Sequence, residues 1–297
     1  MQFLWVAFTL LGSAGQTARN AMQRELTPQL GALGATLVRF LFGFPFAILF
    51  LVAVLSWSHG RLPSFNRSFA PWILLGALTQ IGGTALMLKT MERRSFVVSV
   101  AYLKTEPVLV ALMGLAFLHD PLSLSTALAI GVAMTGVALI SVTPQTLNGG
   151  LAPALLGLSS AGLFAASAIG YRGAILSVNS GFVLASTVSL AAGLTLQTLL
   201  LLAWLLLFNR PILAALHRLW RPSLVAGFTG AAASQFWFLA FALATAASVR
   251  TLALVEVLFA QGVTRFVFKQ KTTPREAVGI AVLLAGAVMI VWAQPRG

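Results

Sequence analysis

The sequence predicts an all-α polytopic membrane protein: ten transmembrane helices arranged as two inverted five-helix repeats. Three observations predict it. Of 297 residues, 59% are hydrophobic and 8% charged, against roughly 25% charged in a soluble domain. The apolar residues fall into ten runs of about 20 residues, the length that crosses the hydrocarbon of a bilayer. Two lone carboxylates, Glu106 and Glu256, sit 150 residues apart, each inside such a run. A carboxylate in hydrocarbon costs several kcal/mol or is neutralised, so such groups face a cavity or a partner.

The runs span residues 3–23, 30–55, 69–89, 95–118, 122–142, 151–173, 181–208, 221–243, 247–268 and 273–293. Their length favours helices, because barrel strands would be segments of about ten residues with strict alternation. The first run has no positive leader segment. Its first basic residue, Arg19, lies behind the apolar stretch, so it reads as a retained span. The second holds Arg39 about ten residues in, too deep for easy snorkelling. The third holds Gln80. The fourth holds Tyr102, Lys104, Glu106 and Pro107, and the fifth holds Gly131 and Gly136. Run six holds Tyr171 and Arg172, run seven Gln197, run eight Gln235 and Trp237, and run nine Arg250, Glu256 and Arg265. Run ten repeats the glycine-and-aliphatic pattern of the fifth with Gly279 and Gly286. The longest connections, 57–68 and 209–220, hold a turn or a short interfacial helix.

Five spans per half would insert the second copy upside down relative to the first, the inverted repeat that places a substrate site at the repeat interface near the midplane. At a shift of 150, Glu106 meets Glu256, Gly136 meets Gly286, and Ala127, Ile130, Val132 and Ile140 meet identical residues. The Glu match carries the most weight, since the chain has only six acidic residues. The division reads as an N-terminal repeat over 1–143, a linker over 144–150 and a C-terminal repeat over 151–297. Glycines within the spans are read as sites of close helix approach.

The net charge of +13 does not signal nucleic acid, because no basic run interleaves with aromatics. Lys and Arg sit mostly in short connections, where they meet anionic lipid head groups. The chain has no cysteine, and His59, His119 and His217 lack zinc-ligand spacing. No nucleophile–base set or P-loop is present, so an enzyme is not expected. Without an ATP-binding loop, any pumping must draw on an ion or solute gradient.

Glu106 and Pro107 lead the candidate site. Proline after Glu106 cannot donate to the carbonyl of Leu103 and kinks the helix. A freed carbonyl and a carboxylate in mid-membrane make a polar subsite. Lys104, two residues before Glu106, points to another face. It must pair with another span or with substrate. Arg39 is a candidate counter-ion for Glu106 or Glu256. Either two buried salt bridges leave a neutral cavity, or one cation is free for an anionic or zwitterionic substrate. Arg250, Arg265, Arg19 and Arg172 are read as interfacial anchors near span ends. Gln16, Gln80, Tyr102, Tyr171, Gln197 and Gln235, with Trp237 nearby, either line the centre or join helices. Gln80 and Gln235 hold corresponding spans of the two halves. Trp5, Trp57, Trp72, Trp204, Trp220 and Trp292 read as interfacial belts.

The order Glu106-Pro107-Val108, then an apolar helix, then Asp120-Pro121-Leu122, together with ten short-looped spans, resembles the EamA-type branch of the drug/metabolite transporter superfamily. The second half departs from the pattern: its turn at 269–274 is basic where an acidic residue is usual. The resemblance implies a secondary carrier for a small polar metabolite (amino-acid-like, organic anion or zwitterion), with a central cavity and no bound cofactor. It implies an exporter coupled to a proton or solute gradient, multi-pass in a prokaryotic cell (inner) membrane, as monomer or homodimer. The alternative is a passive channel or facilitator. The resemblance also implies cytoplasmic termini. The loop charges imply the reverse, with twelve Lys and Arg on the side away from the termini and five on the other.

Overall fold

The protein is described by a computed structural model over residues 3–58, 63–93, 102–141, 151–259 and 273–293. Helix α1 (Leu4–Leu41) takes in the first predicted span and the first part of the second, without the predicted 24–29 connection. It doubles back at Gly31, where φ is 65°, a conformation open to glycine at little cost. Gln23 Nε2 donates to the carbonyl of Ala35 across the turn at 2.9 Å. In a straight helix those residues would stand about 18 Å apart. Helix α2 (Phe44–Trp57) follows a break at Phe42–Gly43. Pro45 in its first turn cannot donate to Leu41, which interrupts the ladder. The second predicted span is therefore two helical pieces.

Helix α3 (Phe69–Arg93) follows a two-residue strand β1 (Ser64–Phe65). A turn at Lys104–Thr105 precedes α4 (Glu106–Met113), so Glu106 opens the helix with Pro107 beside it. A carboxylate there faces the positive end of the helix dipole. A π turn, Gly114–Leu118, ends at His119 with φ 54°. Next come α5 (Leu124–Ser141), α6 (Leu151–Leu176), α7 (Phe182–Phe208), the short α8 (Pro211–Arg218) and α9 (Trp220–Leu243). Strand β2 (Val178–Asn179), after α6, pairs antiparallel with β1. Helix α10 (Ala246–Leu252) is capped by the Thr245 hydroxyl, which accepts from the Ser248 amide at 3.3 Å. A 3-10 turn, Ala253–Val255, then delivers Glu256. Helix α11 (Pro274–Trp292) opens with a Thr273–Glu276 capping box.

Six helical stretches among the described residues are long and apolar enough to cross a membrane, the first being Leu4–Trp57. Two shorter apolar helices, Glu106–Leu118 and Leu124–Ile140, occupy the described parts of the fourth and fifth predicted runs. The linker over 144–150, residues 95–101 of run four, 260–268 of run nine and 269–272 of the basic turn lie outside the described residues.

The main helix pairs are α1 with α9, α3 with α6, and α5 with α11. In the third the backbones approach closely. A Cβ on Gly136 would strike the backbone of Leu283, and one on Gly286 would strike the backbone of Ala133. Glycine at both places lets the helix backbones touch, the packing open to helices in lipid where no hydrophobic force draws them together. The outward faces are apolar, with Trp57, Leu124, Leu207 and Trp292 strongly exposed. The polar residues turn inward.

Candidate functional site

The turn before α4 and the α10 segment meet at the centre of the molecule. There each supplies a cation to the other's acid. Lys104 Nζ pairs with Glu256, and Arg250 Nε lies 3.0 Å from Glu106 Oε1. The second pair is a charge contact, since neither atom completes a directed hydrogen bond. The Arg250 guanidinium also lies over the Trp237 ring, 4.4 Å from its centroid. Each pair joins the N-terminal half of the chain to the C-terminal half. Isolated charges in this setting would be costly, and paired ones are tolerated.

All four groups line a small cavity with room for water over about 40 Å³, together with Gln16, Arg19, Asn20, Leu103 and Pro107. The side chains of Glu106 and Glu256 remain 13% and 17% exposed, although Glu106 Oε1 itself is sealed against Arg250. A second, narrower space of about 10 Å³ shares Gln16, Phe164 and Arg250 with the first and adds Arg39, Gln80, Tyr171 and Trp237. The two are neighbours, with Arg250 in the wall of both.

The predicted residues divide as follows. Glu106, Glu256, Lys104 and Gln16 line the first space; Arg39, Gln80 and Trp237 line the second. Arg39 is not the counter-ion of either acid: its Nη1 donates to the Thr84 hydroxyl at 3.2 Å. Gln80 accepts from Tyr171 Oη at 3.2 Å and from Gln197 Nε2 at 2.9 Å. Gln235 Nε2 donates to the Thr187 hydroxyl at 3.0 Å, joining α9 to α7. Tyr102 packs against Gly157 of α6.

Three arginines read as anchors are buried instead. Arg250 holds Glu106. Arg19 is 2% exposed, because α1 runs helical to Gly31 and leaves Arg19 far from the turn. Arg172 forks onto Asp120 through Nε (3.1 Å) and Nη2 (3.0 Å). Its Nη1 donates to the carbonyls of Phe241 and Ala244 at the end of α9, where the helix leaves carbonyls unpaired. Asp120, of the acidic-Pro-Leu turn, is thereby a structural partner. Arg265 lies outside the described residues.

The sequence reading left Arg19, Asn20 and Arg250 out of the site, favouring an anchor role for both arginines over a place in the cavity. For two of them a signal existed. Gln16, Arg19, Asn20 and Gln23 recur at i, i+3, i+4 and i+7, a polar stripe on an otherwise apolar helix.

No curated protein matches the chain in sequence. A solved structure described only as "Crystal structure of protein" superposes with a TM-score of 0.67 at 13% identity, covering 100% of this chain and 98% of its own. That likeness speaks for the fold alone. Residues 3–142, just under half of the chain, match the model of the EamA-like transporter family. Helices long enough to span a bilayer, an apolar exterior and a charged centre agree with that match. The chain is thus a multi-pass membrane protein whose residues 3–142 are similar to the EamA-like transporter family.

Proposed function

We propose that the protein is a secondary active carrier for a small polar metabolite, working by alternating access between two inverted repeats, 1–143 and 151–297. The observation that carries this reading is the reciprocal pairing of Lys104 with Glu256 and Arg250 with Glu106 around a cavity. Charges that tie the halves together yet line a cavity are suited to being exchanged for substrate or proton. Rocking of one half against the other would then expose the centre to each side in turn. Glu106, held by charge contact rather than a directed bond, is the proposed coupling group. Export through the cell membrane is the direction that the family resemblance favours.

The packing supports the repeat. The α1–α9 and α3–α6 pairs exchange when the halves are swapped, and the α5–α11 pair maps onto itself. A shift of 150 carries Gly136 onto Gly286 and Ala133 onto Leu283, so the Gly136–Leu283 and Gly286–Ala133 contacts exchange.

Purified protein in sealed liposomes tests the reading. Under an imposed pH gradient, a transported solute is expected to accumulate above its external concentration. Flux that stops at equilibration would support a passive facilitator instead. No flux for any small polar solute would contradict the transporter mechanism proposed here.

A further inference from the structure

We infer that the substrate is a small organic dianion, a dicarboxylate or a phosphomonoester, gripped by the guanidinium pair Arg19 and Arg39. This rests on the carrier reading above and narrows it. The bend at Gly31 folds α1 so that both arginines lie against Gly230 of α9. A Cβ there would stand 3.1 Å from Arg19 Cδ and 3.5 Å from Arg39 Cγ. Both are nearly sealed, at 2% and 4% exposure. Arg19 Nη2 donates to Asn20 Oδ1 at 2.8 Å, while its Nε and Nη1 have no partner. Arg39 donates to Thr84, and its Nε has no partner. Neither touches an acid among the described residues.

Formal charges set the valence. Around the two neighbouring spaces stand Arg19, Arg39, Lys104 and Arg250 against Glu106 and Glu256. The two acids already face Lys104 and Arg250. Among the described residues two cations are left over, both against Gly230, which repel and carry unfilled donors. Guanidinium groups present paired N–H donors that fit carboxylate and phosphate oxygens two at a time. A dianion fills the donors and cancels the excess. A monoanion leaves half of it, and a zwitterion or neutral solute leaves all of it.

The test uses full-length protein in detergent, with succinate and glycerol 3-phosphate as dianions, acetate as monoanion, alanine as zwitterion and glycerol as neutral solute. At least one dianion is expected to raise the unfolding midpoint at concentrations where the other three do nothing, since a ligand stabilises the state it binds. Arg19→Gln and Arg39→Gln are each expected to abolish that rise. Without ligand, both variants are expected to unfold no earlier than the parent, because an unmatched buried charge has been removed. Equal stabilisation by alanine or glycerol overturns the inference, as does a dianion effect that survives in both variants, or none with either dianion. Counterflow in liposomes separates the two claims. Exchange of alanine but not of either dianion removes only the dianion, whereas exchange of nothing removes the carrier reading too.

Discussion

Replacing Glu106 with Gln is expected to cut transport about 100-fold, equivalent to roughly 3 kcal/mol, while folded yield falls no more than about twofold. The amide keeps the shape and loses the charge. Arg250 is then left without its acid, and removing one partner of a buried charge pair costs roughly 2–5 kcal/mol in function or affinity. Folding is affected less, for a local reason. Arg250 keeps the Trp237 face, worth about 1–2 kcal/mol, and it borders the cavity rather than dry packing. The double variant Glu106→Gln/Arg250→Gln separates the roles. It removes the orphaned charge, so thermal stability should recover towards the parent while transport stays lost. Recovery of both, measured by melting and by liposome flux, would make the pair structural only.

Replacing Gly136 with Leu is expected to abolish folded protein. Any Cβ at 136 strikes the Leu283 backbone, and backbone cannot move aside as a flexible side chain can. Overpacking a close contact costs typically 1–3 kcal/mol and occasionally more; with four carbons added against backbone, about 3 kcal/mol is the expected floor. That is a large share of the roughly 5–15 kcal/mol that holds a protein folded. Gly131→Leu is the control, because nothing lies within 4 Å of a Cβ there. Monodispersity in detergent should be lost for Gly136→Leu and kept for Gly131→Leu. If both variants stay monodisperse, the close α5–α11 contact is not needed for folding.

The two acids were legible in the sequence because a carboxylate is conspicuous in an apolar run. Their partners were not. Position along a span gives depth, but pairing depends on which segments meet, and that is a tertiary fact. Arg250 looked like an anchor because it stands near the start of its run. The run begins inside the molecule, where Arg172 holds the Ala244 carbonyl. Arg19 looked like an anchor because the first span seemed to end at 23. Helix continued to Gly31, since nothing in 24–30 demands a positive φ and Gly31 supplies one. The spans were read well: apart from a few end residues and the bend at Gly31, the described parts of all ten runs are helical except for the breaks at Phe42–Gly43 and Lys104–Thr105. Both breaks precede a proline, a signal used at Pro107 and overlooked at Pro45.

The claim on which the mechanism depends is that water reaches the paired charges. The chain has no cysteine, so a single thiol reports on its own surroundings. Gln16→Cys, on the cavity wall, is expected to react with a membrane-impermeant maleimide in intact membranes or sealed vesicles of known sidedness. Leu11→Cys, on the exposed outer face of the same helix, is expected to stay unlabelled in lipid. A Gln16→Cys thiol that resists the reagent from both sides of the membrane, while a denatured sample labels fully, would mean a dry centre and contradict the account.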